Sequence, residues 1–286
     1  MQTAVLGTGI IGQKLTQALL RGGHEVSVYN RSARKTAGLQ ELGATAADSA
    51  EQAVHSAECI LLALSDKKAV DDVLTGIKMT LNQKTFVQMG TILPQESISL
   101  ARRIGEAGGE YCECPILGSR REIDERKLIL LFGGSRRVLE STRSVLACFG
   151  AEPHYIGDVG QAAAMKLALN NLIAIHAAGF ALSLGIVERN GIDCKQFMAI
   201  LRQSSLYAPM YDKKLANWRE RTFDNPNFPA KHLQKDTELI LRHGHEIGLN
   251  TQVLEAIRDV LDQTLARGEG DMDYSALINV IHPVSE

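Results

Sequence analysis

Over the first 150 or so residues, hydrophobic and polar positions switch between a strand pattern and a helix pattern. "TAVLG" (3–7), "EVSVYN" (25–30), "CILLAL" (59–64), "KTFVQM" (84–89) and "GEYCECP" (109–115) predict short strands, followed by "KLILLFGG" (127–134) and "AEPHYIG" (151–157). Between them, "IIGQKLTQALLRGG" and "SARKTAGLQELG" predict helices stopped by glycine, with further helices over 67–76, 94–107 and 135–148. Strands alternating with helices of this length predict parallel βαβ units. After Gly160 the strand signal ends. A long apolar helix, 160–187, is followed by helical patterns at 193–204, 229–247 and 251–267 and a short C-terminal piece. The Pro- and aromatic-rich segment 207–229 predicts an irregular connection. The expectation is an α/β domain over 1–160 and an all-helical domain over 161–286, joined by the long helix.

The first strand runs into "GTGIIG", which spaces Gly7, Gly9 and Gly12 as G-x-G-x-x-G at the start of a helix. In a strand–loop–helix of this kind, Gly7 allows the tight turn, Gly9 the approach of a pyrophosphate, and Gly12 close helix–sheet packing. The helix N-terminus beyond them favours an anion. The context predicts a Rossmann-type dinucleotide site, with Ile10 and Ile11 between the glycines as further cofactor contacts. At the end of the second strand, where an NAD site usually carries Asp or Glu, the chain has Asn30, Arg31 and Ser32, then Arg34 and Lys35. A guanidinium binds a 2′-phosphate that a carboxylate would repel, so NADP(H) is the expected cofactor.

On the long helix, Lys166 and Asn170 are four residues apart and share one face of an otherwise apolar stretch. Burying a lysine is costly, and burial lowers its pKa towards the working pH, where it can exchange a proton. Beside a nicotinamide such an amine would protonate a carbonyl oxygen being reduced.

At this point the chain resembles the β-hydroxyacid dehydrogenase family, which includes 3-hydroxyisobutyrate dehydrogenase and glyoxylate/succinic semialdehyde reductases and is related to 6-phosphogluconate dehydrogenase. Five motifs stand in the family's order: "GTGIIG", "ECPILGS" (113–119), "GQAAAMKLALNN", "FPAKHLQKD" and "GDMDYSALI". The resemblance implies Lys166 as catalytic acid/base and Asn170 as a substrate-orienting group. It implies substrate contacts at Leu117, Gly118 and Ser119, and cofactor contacts at Leu64, Ser65 and Thr91. It also implies that Phe228 and Lys235 close over the cofactor. Many members have serine where Leu117 stands and glycine where Arg126 stands; Arg120 and Arg121 follow Ser119. The implied reaction is hydride transfer between NADP(H) and a small hydroxy-acid, aldehyde-acid or keto-acid. An imine reductase, or a non-catalytic cofactor-binding protein, shares the architecture.

The composition adds exclusions. With 31 basic and 33 acidic residues in 286, the formal charge of −2 argues against a nucleic-acid partner. No charged n-region with a long apolar run opens the chain, and the long helix is interrupted by Lys166 and two Asn, so no membrane association is expected. Five scattered cysteines without a CxxC pair suit reduced thiols and a cytoplasmic location. His243 and His245 are two apart, unlike helical zinc pairs, and no metal site is expected. The apolar helical half predicts a homodimer or homotetramer.

Overall fold

The computed structural model describes residues 1–283, so the last three residues of the expected second domain lie outside it. Strands β1 (Gln2–Leu6), β2 (Glu25–Tyr29), β3 (Thr45–Ala46), β4 (Cys59–Leu62), β5 (Thr85–Gln88) and β6 (Glu110–Glu113) run parallel in the order β3-β2-β1-β4-β5-β6. Side chains alternate across this sheet. Val5, Val28, Leu61 and Val87 enter one core, and Ala4, Leu6, Ile60, Leu62 and Phe86 the other. That two-sided burial is why these strands read as near-continuous apolar runs. Helix α1 (Ile10–Arg21) covers the first face with Leu15, Ala18 and Leu19. Helices α2 (Ala37–Gln40) and α3 (Ala50–His55) are short. Helix α4 (Lys67–Thr75) and helix α5 (Pro94–Glu106) cover the second face through Val70, Leu74, Leu100 and Ile104.

The parallel expectation holds through β6 and then changes. Strand β7 (Ile116–Leu117) is antiparallel to β8 (Ile129–Gly133), and β8 is antiparallel to β6. A parallel return needs a covering crossover of a dozen or more residues, whereas helix α6 here is only Arg120–Asp124. After helix α7 (Arg136–Leu146), β9 (His154–Gly157) adds parallel to β8. Arg126, in the turn after α6, has φ +55°, a left-handed conformation that glycine adopts without strain.

The chain divides into two units, residues 1–166 and 167–286, and helix α8 (Gln161–Arg189) runs through the division. By length and composition α8 could cross a membrane, but in the second unit Ala174, Ala177, Phe180, Ala181 and Leu184 pack into a helical core. The other helices are α9 (Cys194–Gln203), α10 (Pro209–Glu220), α11 (Ala230–Glu246), α12 (Gln252–Ala266) and α13 (Ile278–Ile281). Helix α10 corrects the expectation of an irregular connection over 207–229. Pro209 occupies its first turn, where a missing N–H costs nothing. Tyr211 and Trp218, two turns apart, are both buried, and the Trp218 indole N–H donates to the Ser275 carbonyl at 3.0 Å.

Candidate active site

The loops that follow β1, β4 and β5 meet at the carboxyl ends of the strands, where the strand order reverses between β1 and β4. Open α/β sheets bind ligands at such a switch point. Gly7 has φ +100°, and a Cβ on it would lie 2.5 Å from the Ala63 carbonyl oxygen. A Cβ on Gly12 would collide with the Gly7 carbonyl, and one on Gly90 with the Leu64 carbonyl. Gly9 is different: nothing lies within 4 Å of the position a Cβ would take. The loop is packed tightly on the protein side and open where a ligand approaches.

Asn30 ties this loop to the end of β2. Its Oδ1 accepts the Thr8 N–H at 3.1 Å, and its Nδ2 donates to the Ser32 carbonyl at 3.1 Å. Asn30 therefore sets the distance between the glycine turn and the exposed Arg31–Ser32 segment. The Arg31 charge is also felt by Lys68 on the first turn of α4, whose own ammonium is held above its ordinary value mainly by Asp72. Two features fit a nicotinamide dinucleotide. No side chain caps the first turn of α1, and the fully buried Thr8 Oγ1 beside it has no hydrogen-bond partner. Ile10 is 37% exposed at the open side and Ile11 packs against the core. Leu64 is half-buried, and the Ser65 hydroxyl donates to Asp66 at 2.8 Å. Thr91 follows the Gly90 contact with Leu64.

The 117–119 loop reaches the start of α6. Gly118 has φ +124° and lies against Leu128 and Glu122. The Ser119 N–H and Oγ both donate to Glu122 Oε2, at 2.8 and 2.6 Å. This is a capping box, and it engages both Ser119 donors within the loop. Arg121 is paired with Glu125 at 2.6 Å, and Lys127 binds the same carboxylate at 2.9 Å.

Lys166 is half-buried on α8. One turn further on, Asn170 is 1% exposed. Its Nδ2 donates to Asp236 Oδ2 at 2.6 Å, and since a carboxylate only accepts, this bond fixes the amide orientation. Asn170 Oδ1 is then a buried acceptor with no partner. Asp236 in turn pairs with Lys235 at 2.8 Å. Phe228 lies parallel to the His232 ring and edge-on to Tyr274. Among the described residues no three His, Cys, Asp or Glu side chains group as metal ligands.

Sequence reasoning did not single out Asp236, Glu122 or Glu113. Asp236 was visible in the quoted "FPAKHLQKD", and Glu122 stands three residues after Ser119 in capping-box spacing. Glu113 is 1% exposed at the end of β6. Burial raises its pKa, while hydrogen bonds from Ser97 and the backbone of Ala163, Gly160 and Ala162 oppose the rise.

Residues 2–157 match the NAD binding domain of 6-phosphogluconate dehydrogenase, and residues 160–281 match the NAD-binding domain of NADP-dependent 3-hydroxyisobutyrate dehydrogenase. Glyoxylate/succinic semialdehyde reductase 1 of Arabidopsis thaliana is 28% identical, with 98% of each chain covered. Cytokine-like nuclear factor N-PAC of Drosophila melanogaster is 30% identical over 95% of this chain, which spans 46% of that longer protein. Among solved structures, 3-hydroxyisobutyrate dehydrogenase from Salmonella typhimurium has a TM-score of 0.86 at 17% identity, covering 98% of this chain and 99% of that one. The imine reductase from Myxococcus stipitatus has a TM-score of 0.69 at 23% identity, covering 97% and 98%. The chain belongs to the β-hydroxyacid dehydrogenase family of nicotinamide-dependent oxidoreductases.

Proposed function

We propose that this protein is an NADP(H)-dependent reductase of a small carbonyl compound, of the aldehyde-acid or keto-acid class, with Lys166 as the general acid. The observation that carries the reading is the buried, unpartnered Oδ1 of Asn170, one helical turn from the half-buried Lys166 amine. A buried acceptor left without a donor is costly unless a ligand supplies one. The hydroxyl of a hydroxy-acid is such a donor, and Asp236 holds the amide in the orientation that presents the oxygen. When bound, the reduced nicotinamide supplies the hydride. Lys166 gives its proton to the carbonyl oxygen as negative charge develops there, and Asn170 orients the resulting hydroxyl. The Arg31–Ser32 segment, with Arg34 and Lys35 beyond it, supports NADP over NAD.

Lys166→Ala should keep NADPH binding and lose roughly 10²–10⁴-fold in turnover, the usual contribution of a positioned acid. Turnover within a few-fold of the wild-type rate would remove the role. One observation favours a second reading. The donors of Ser119 are both held by Glu122, and Leu117 offers no hydroxyl, which suits an uncharged substrate such as a cyclic imine. NADPH oxidation across aldehyde-acids, keto-acids and cyclic imines separates the two.

We also propose that the protein self-associates through α8. Leu172, Ile175, Leu182 and Ile186 are 48%, 36%, 56% and 58% exposed at spacings of three, seven and four, a line of apolar side chains along one face. Leu182→Glu with Ile186→Glu should reduce the particle mass in light scattering, and an unchanged mass would sink this proposal. The five unpaired, buried thiols support a cytoplasmic location.

A further inference from the structure

Helix α8 begins without a side chain of its own to cap it. Gly160 is the N-cap, since its carbonyl accepts the first helical bond, from Ala164 N–H at 3.0 Å. Its φ of +103° is one that serine, threonine or aspartate rarely adopts, so the usual capping residues are strained at this position. The cap comes from elsewhere. Glu113 Oε1 accepts the N–H of Gly160 and the N–H of Ala163, each at 2.9 Å. These are two of the orphan donors that open every helix, satisfied here by one carboxylate 47 residues away. Glu113 Oε2 accepts from the Ser97 hydroxyl on α5, and Ser97 is bonded to Tyr111 of β6 at 2.7 Å. Room for the carboxylate is made by Gly133 on β8, where a Cβ would lie 2.6 Å from Glu113 Oε1. One buried side chain thus pins the first turn of α8 to β6 and α5, and Lys166 is the third residue after the last amide it holds.

We infer that Glu113 is a positioning residue for the Lys166 amine, acting through the first turn of α8. This rests on the reading of Lys166 as the acid. Glu113 touches no substrate; it fixes where the helix starts, and so where the amine stands. Misplacing a reacting group by about 1 Å can cost about 10²-fold in rate.

The test compares Glu113→Leu, which keeps bulk but accepts no hydrogen bond, with Glu113→Gln. The glutamine Oε1 can still accept both backbone amides, while its Nε2 donates to Ser97 and the Ser97 hydroxyl turns to Tyr111. Glu113→Leu should lower kcat about 10–100-fold with the Kd for NADPH, read by fluorescence titration, within about threefold of wild type. Amide hydrogen exchange over residues 160–166 should quicken in the same variant. Glu113→Gln should restore both kcat, to within about threefold, and the exchange protection. A leucine variant with wild-type kcat, a loss of kcat matched by an equal loss of NADPH affinity, or a glutamine variant as impaired as leucine would each overturn the inference. If Glu113→Leu does not fold, Glu113→Asp decides: its carboxylate stands one methylene short of the Gly160 and Ala163 amides, so kcat should fall severalfold at unchanged Kd with faster exchange over 160–166, and unchanged kcat overturns the role. Lys166→Ala is assayed beside them. If it keeps turnover, the acid assignment fails and Glu113 loses its object. If it is inactive while Glu113→Leu is not, only the present inference fails.

Discussion

Asn30→Asp changes one atom type at the proposed point of cofactor choice. The wild-type amide accepts from Thr8 N–H and donates to the Ser32 carbonyl, both at 3.1 Å. Aspartate keeps the first bond and turns the second into a contact between two oxygens, a loss of about 1 kcal/mol. It also places a negative charge beside the proposed 2′-phosphate. At a separation of about 5 Å and an effective dielectric near 40, each pair of unit charges repels by about 1.7 kcal/mol, and the phosphate carries roughly 1.5 charges. The charge repulsion alone, about 2.5 kcal/mol, corresponds to a loss of NADPH affinity of roughly 70-fold, since the broken Ser32 bond is missing from free and bound protein alike. NADH has a 2′-hydroxyl that can donate to the new carboxylate, a charge-assisted bond of about 1.5–3 kcal/mol. Its affinity should therefore hold or improve. Asn30→Ala is the control: it strands the Thr8 N–H and should weaken both dinucleotides alike, by about 1–3 kcal/mol. Titration of each variant with NADPH and NADH by fluorescence gives the four ratios. If aspartate weakens both cofactors equally, Asn30 only braces the loop and the 2′-phosphate does not lie beside it.

Glu122→Ala frees the N–H and hydroxyl of Ser119 and should lower KM for short aldehyde-acids about tenfold, a change of about 1.4 kcal/mol, with KM for NADPH unchanged; an unmoved substrate KM places the loop away from the substrate. Asp236→Ala removes the partner of the buried Asn170 amide and should cost about 1–3 kcal/mol in chemical denaturation, whereas an unchanged midpoint would show that the pair contributes nothing to stability. Arg126→Gly relieves a left-handed residue worth about 1–2 kcal/mol against a glycine entropy cost of about 0.5–1, so the unfolding midpoint should rise slightly, and a fall would refute the strain. Burial raises the Glu113 carboxyl above its ordinary 4.5, so the folded state binds this proton more tightly than the unfolded state. Its contribution to stability is full below pH 4.5 and is lost as pH rises through the folded value. The difference in Tm between wild type and Glu113→Gln should therefore shift against wild type over that window, and a flat difference would show that the carboxyl is not perturbed.

What the sequence disclosed and what it hid differ by the range of the interaction involved. The glycine spacing, the strands with two buried faces and the pair Lys166 and Asn170 are local patterns, and a local pattern survives projection onto one dimension. The antiparallel turn of β8 was hidden because "KLILLFGG" is equally apolar in either direction; only the brevity of α6 rules out a crossover. Helix α10 was hidden because Pro209 and the aromatics resemble a loop until Tyr211 and Trp218 are seen to point into one core. Asn30 looked like a missing acidic residue, yet both ends of its amide are bound, to the turn before it and to the turn after it.

The deepest concealment is at Gly160. Read alone, "GDVGQAAAMK" is a helix start without a cap, a local defect in front of the proposed acid. The defect disappears once β6 delivers Glu113 across 47 positions. The local rule that fails in front of the proposed acid is met by a long-range partner. In this chain that partner is the first residue of "ECPILGS", a carboxylate whose removal should displace the Lys166 amine.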